Sequence, residues 1–201
     1  MCPFYQRIVG KEGPVTMTVC SQSPSERTTD SLDLPVQLQS DNPLWQFALA
    51  FWQKTGVQEN CLALQQQGWS VTRVLCAAWL ALDGQSYTGN EDATVTEWRN
   101  RVTGALRTVR QLLPKASAQC TTLRKGVAGL ELEAERIELA LAWHTLTTNN
   151  TETGDMHGRD ALIQNNLEAA APSTKAVANA KSHLNALAGT LADISTGDHK
   201  P

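Results

Sequence analysis

The chain is poor in several things, and each shortage closes a class of function. No run of about eighteen apolar residues occurs, so no segment reads as a membrane-crossing helix. Charge is scarce at 18 % and balanced in sign. Lys plus Arg number 17 against 20 Asp plus Glu, a net charge of −3. That excludes a globally basic nucleic-acid binder and a strongly acidic disordered tail. The five cysteines (Cys2, Cys20, Cys61, Cys76, Cys120) are odd in number, widely spaced and never in a C-x-x-C pair. A disulfide framework and a zinc site both need closer or paired spacing, so reduced thiols and a cytoplasmic location are expected. Met1 to Arg7 contains no apolar core of the kind a signal peptide carries. Aromatics make up only 5 %, yet six of the eleven are tryptophan.

What is present is helical periodicity. Residues 1–41 mix Ser, Thr, Gln and Pro without a lasting period and read as a disordered extension, inside which Met17 offers an alternative start. At residue 42 the character changes. Asn42 can cap free amides and Pro43 suits the first helical position, after which Leu44, Phe47, Ala48 and Phe51 recur at helical spacing. A second helix runs from Val57 to Gln67 and stops at Gly68. A third, capped by Ser70, is apolar nearly all round and should be the most buried. Thr94 and Glu97 have capping-box spacing, and Val95, Trp98, Val102, Ala105, Val109 and Leu112 form the next stripe up to Pro114. Cys120, Leu123, Val127, Leu130, Ala134, Ile137, Leu141 and His144 then form a heptad-like seam. Residues 148–172 read as linker and short helix. Residues 173–201 read as a last helix capped by Ser173, free to pack back, to form an arm or to stay half-ordered. The expected class is all-α: a bundle of about five helices over 42–147 with a helical C-terminal extension.

Several landmarks come in a set order: Leu44-Trp45-Gln46-Phe47-Ala48-Leu49, Cys61-Leu62-Ala63-Leu64-Gln65, Trp79-Leu80, Trp98-Arg99 and Leu132-Glu133-Ala134-Glu135-Arg136. With them the chain resembles, over roughly residues 43–146, a family of short uncharacterised proteobacterial proteins that carry a conserved domain of unknown function. The resemblance implies a soluble, cytoplasmic helical protein and supplies no activity. The family pattern has Asp-Val-Asn where this chain has Ser70-Val71-Thr72, and an acid where it has Gln66. Roles for those acids therefore do not carry over.

The sharpest local feature is charge segregation. Residues 97–125 hold seven bases against one acid, and residues 131–155 hold six acids against one base. On a helical wheel Arg99, Arg110 and Arg107 lie at about 100°, 120° and 180° from Trp98, off the apolar stripe. They are expected as a solvent-facing ridge able to grip phosphates or an acidic partner. The plainer alternative has that ridge paired with the acidic helix. Glu131, Glu135 and Glu138 share a face but lack the Glu-x-x-His pattern of metal-binding bundles, and read as solvated acids. Trp45, Trp52, Trp79 and Trp98 fall on core stripes. Trp69, in the Gly68-Trp69-Ser70 turn, reads as exposed and stackable on Arg73, an interface composition. Cys61 and Cys76 read as small core hydrophobes, and His144 as a packed or end-of-helix residue. With no nucleophile–base set, phosphate loop or metal motif, no catalytic residue, cofactor or metal is assigned. The reading is a non-enzymatic interaction or regulatory protein with an unknown protein partner and unknown oligomeric state, using Arg99, Arg107, Arg110, Trp69 and Arg73. The alternatives are a nucleic-acid- or ribosome-associated factor on the same ridge and, third, a small-molecule binder or enzyme with a site inside the bundle.

Overall fold

Capping chemistry sets where the helices begin. In the structure, a computed structural model, Asn42 Oδ1 accepts the Trp45 N–H at 2.9 Å and opens α1 (Pro43–Trp52). Ser70 and Ser173 likewise open α3 (Val71–Leu82) and α8 (Thr174–Ala192). Between them come α2 (Val57–Gln66), α4 (Ala93–Trp98), a π-helical turn (Arg99–Thr103), α5 (Gly104–Leu112), α6 (Ala118–Asn149) and α7 (Arg159–Ala169). The Thr94–Glu97 capping box is not used. Asp92 caps instead, accepting the Thr94 N–H at 2.8 Å, so the helix starts earlier. The structure describes residues 31–149 and 158–194, and every regular element among them is a helix. The extension expected over 1–41 lies largely outside the described residues. Its last stretch is held: Leu34 and Leu38 pack on the core, and Ser40 O accepts from Arg136 Nε at 3.1 Å.

The core forms around α3, whose buried residues point in nearly every direction. α7 packs on α3, and α8 packs on α7 and α2. Ile163, Leu167, Ala180, Leu184, Leu187 and Leu191 are fully buried in the same cluster as Leu44, Phe51, Val57 and Leu64. Each such leucine contributes about 1.5–3 kcal/mol through burial. Of the fates open to the last helix, the structure shows packing back on the core. Asn166, itself buried, fixes the α3–α4 loop by accepting from Tyr87 N–H and donating to Gln85 O and Ala77 O.

The α4–α5 stripe turns out differently from its periodicity. Val95 is buried as expected, but Val109 and Leu112 are exposed. Arg107 and Arg110 face α6 in their place. The π-turn is the reason. The Gly104 N–H reaches Arg99 O, five residues back. Such a turn inserts one residue and rotates everything after it by about 100°. Thr103, rather than Val102, therefore becomes the buried member. Glycine suits position 104, because a Cβ there would sit 3.0 Å from Arg99 O. The α6 seam is also halved. Val127, Ala134 and Leu141 are buried, whereas Leu123, Leu130 and His144 are exposed. The face turned toward α5 is the one carrying Glu131, next to Val127 and Ala134 on the helical wheel.

Candidate binding cleft

Between α1–α3 on one side and the α5–α6 hairpin on the other lies a cleft of about 410 Å³. This is within the usual size range for small-ligand sites. One wall is mainly apolar, with Trp45, Leu49 and Trp52 from α1, Leu62 from α2, then Trp69, Val71 and Leu75, interrupted by Gln53, Gln65, Ser70 and Thr72. The opposite wall is a charged rail of Arg99, Arg107 and Arg110 against Glu131, Glu135 and Glu138, with Leu132 at the rim. Leu49, Leu62 and Leu132 are all exposed, so the mouth is greasy as well as open.

Trp69 reaches this wall through a helix-ending motif. Gly68 adopts φ 86° after α2, Gly68 N–H bonds Gln65 O and Trp69 N–H bonds Leu64 O, both at 3.1 Å. In this Schellman arrangement the residue after the glycine packs back on the helix it has just left. The indole is accordingly 3 % exposed, which corrects the expectation of an exposed turn residue. Its Nε1 is buried without a hydrogen-bond partner. Arg73 does not belong to the cleft wall. Its guanidinium caps the end of α7, donating from Nε to Ala170 O and from Nη2 to Ala169 O, each at 3.2 Å. A cation does sit over one cleft indole: Arg136 lies 5.6 Å from the Trp45 ring centroid.

The rail is a set of partly buried ion pairs. Arg99 forks onto both oxygens of Glu91 at 2.6 Å and donates from Nε to Glu138 at 2.6 Å. Glu138, only 2 % exposed, also accepts from Thr72 Oγ1 at 2.7 Å. Arg107 bridges Glu131 at 2.9 Å and Glu135 at 2.7 Å, and Arg110 pairs with Glu131. Hence the arginine ridge faces the acidic helix, not solvent, and Glu131 and Glu138 are buried rather than solvated. Burial raises the Glu131 carboxyl, but the hydrogen bonds and charges of Arg110 and Arg107 outweigh it and hold it below the usual range. Glu135 goes the other way. Its desolvation, helped by Glu131 and Glu138, exceeds what Arg107 returns, and its carboxyl is raised. Burial also lowers Arg99, but Glu91 and Glu138 more than reverse this and raise it.

Four of the five residues singled out from sequence, Arg99, Arg107, Arg110 and Trp69, thus line one cleft, and Arg73 lies outside it. Sequence reasoning missed the leucines of the same cleft; its glutamates were read as solvated acids, and the plainer alternative, the ridge paired with the acidic helix, is what the ion pairs show. Opposite charges in antiparallel register across a hairpin were the available signal for the glutamates. Cys61 and Cys76 sit in the core, where burial pushes the Cys61 thiol up to about 12 and raises Cys76 as well. Among the described residues no helix is long and apolar enough to cross a membrane, and no three metal-ligating side chains cluster.

Comparison with known proteins gives one match. Residues 43–141 match the family described as protein of unknown function (DUF2390). That span runs from α1 to most of α6 and so contains both walls of the cleft. No curated protein and no solved structure matches.

Proposed function

We propose that this chain is a non-enzymatic binding protein, and that the cleft is its binding site. The observation that carries this reading is the juxtaposition of three indoles, Trp45, Trp52 and Trp69, with a rail whose arginines are already engaged by glutamates. The wall offers stacking and apolar burial to the body of a ligand. The rail and its hydrogen-bonded neighbour Glu91 hold four carboxylates against three guanidiniums, which disfavours phosphate. The best match is an apolar body with a cationic or hydrogen-bond-donating end near Glu135. Glu135 has 37 % of its side chain open and a single arginine partner. A partner protein offering a Lys or Arg beside an apolar side chain presents the same chemistry. The engaged arginines give less support to a nucleic-acid role.

A tryptophan-fluorescence titration with a matched pair of ligands, phenethylamine and 3-phenylpropionate, tests this. The amine is expected to quench more strongly at pH 7, and Glu135→Gln is expected to remove the difference. A preference for the carboxylate, or no response from either, overturns the reading.

A further inference from the structure

The helix that carries Arg107 and Arg110 holds a second inner face that the fold leaves unused. In the observed register Thr103, Arg107 and Arg110 turn toward the interior and α6. One residue back from each of them stand Val102, Leu106 and Val109, an apolar set at the same spacing of four and three. That set continues the phase of α4 without a break. There Val95 is buried, and the Trp98 indole donates to Ala134 O of α6 at 2.9 Å.

The observed register leaves several groups badly placed. The Thr103 side chain is fully buried, and its hydroxyl meets no hydrogen-bond partner among the described residues. Val109 is 47 % and Leu112 78 % exposed. The turn at Arg99–Thr103 gives up α-helical bonding, and single turns of this kind are rare and concentrate at functional sites. An α-turn in its place would advance every later residue by one helical step, about 100° and 1.5 Å. Val102 would then stand where Thr103 stands, Leu106 where Arg107 stands and Val109 where Arg110 stands.

Charge on α6 holds the observed register. Glu131 takes both Arg107 and Arg110, and Glu135 takes Arg107. Glu131 is 5 % exposed, so withdrawing the guanidiniums would strand a buried carboxylate.

We propose that α5 is a two-register element. With Glu131 and Glu135 paired to its arginines it packs by charge through the π-turn. When those carboxylates are neutralised or paired elsewhere, it turns one helical step and packs by Val102, Leu106 and Val109. The step takes Arg107 and Arg110 out of the rail and leaves Arg99 as the one guanidinium of the three, so the register of α5 sets the charge of that wall. This holds whatever the cleft binds, and its test needs no ligand.

Thiol labelling of the full chain, resolved by peptide mass spectrometry, reads the rotation at two positions, Thr103→Cys and Val109→Cys, made separately. With both glutamates present, the Thr103→Cys thiol is expected to be protected and the Val109→Cys thiol reactive. Glu131→Gln with Glu135→Gln should raise the labelling rate of Thr103→Cys about tenfold or more, because a minor state populated at about 0.1–10 % becomes the main one. The same pair should lower the rate of Val109→Cys. Loosening of the hairpin would raise both rates, whereas a rotation moves them in opposite directions. Deleting the exposed Asn100 takes the extra residue out of the π-turn, which makes the helix continuous with Arg107 and Arg110 still facing inward. Added to the glutamine pair, that deletion should cancel both changes. Rates that rise together, that ignore the glutamines, or that respond to them and ignore the deletion overturn the proposal.

Discussion

The packing of α2, α3, α7 and α8 and the packing of α5 on α6 follow opposite rules. In the first, apolar spacing dominates: Val57, Cys61, Leu64, Ile163, Leu167, Leu184, Leu187 and Leu191 all meet in one buried cluster, with Asn166 and Arg73 adding polar ties between α7 and α3. In the second, α5 has no buried residue, and its hold on α6 is through Arg107 and Arg110 to Glu131 and Glu135. Val109 and Leu112 are left in solvent. A stripe of apolar residues therefore specifies burial only while the helix keeps its phase and no stronger pairing competes. The π-turn at Arg99–Thr103 changes the phase, and the guanidinium–carboxylate pairs take the inner face.

Breaking each region at its centre gives the largest effects. Arg99→Ala leaves Glu138 and Glu91 buried without their cation, and a loss of about 3–5 kcal/mol is expected in denaturant unfolding. Leu184→Ala, which opens a void between α8 and its neighbours, is expected to cost about 3 kcal/mol. An Arg99→Ala loss under about 1 kcal/mol would mean the network is no more than a surface pair.

The hairpin gives the next effect. Were Arg107 and Arg110 on a free ridge, reversing both to glutamate would leave melting unchanged. With the arginines facing Glu131 and Glu135, the double substitution is expected to destabilise by about 1–3 kcal/mol. Unchanged melting by circular dichroism would return these residues to the surface.

Much of the fold could be read from the residues, and the misses have physical causes. Asn42-Pro43 and the all-round apolar α3 are recognisable because their chemistry is local. The inward turn of Arg107 stood in the sequence only as the alternative to a free ridge, because one inserted residue in the π-turn, marked by Gly104, shifts the helical wheel. Trp69 was misplaced because a tryptophan in a turn suggests exposure, whereas glycine followed by a large apolar residue after a helix is the signature of a chain folding back. The cleft itself needs residues from α1 and α6, some ninety positions apart, and no local period encodes that encounter.

Smaller effects come from comparing two carboxylates one helical turn apart. The Glu131 carboxyl is depressed by its arginines, so its contribution is complete above the ordinary glutamate range of about 4.3 and fades as pH falls through the lowered value. Glu131→Gln should therefore destabilise at pH 7 and approach wild type in acid. Glu135 is raised by its desolvation. Its ionisation opposes folding as pH climbs through the raised value, and the penalty is absent below the ordinary range. Glu135→Gln should match or exceed wild-type stability at pH 7 and lose any advantage in acid. Urea midpoints from pH 3 to pH 8 check both signs, and two curves moving together would show that one environment serves both carboxylates.

The smallest effect isolates the cleft wall from the core behind it. Trp69 is nearly as buried as the leucines around it, yet its Nε1 has no acceptor. An unsatisfied buried donor costs about 1–3 kcal/mol, which offsets much of what the larger indole gains over a phenyl ring in packing. Trp69→Phe removes the donor and some volume together, so the two changes oppose each other. A net stability change under about 1 kcal/mol is expected. A loss of about 3 kcal/mol or more would show that the indole is held by an interaction of its own and that packing alone does not explain its position. The same variant should retain the amine preference with a reduced fluorescence response, because Glu135 remains while one of the three reporting indoles has gone.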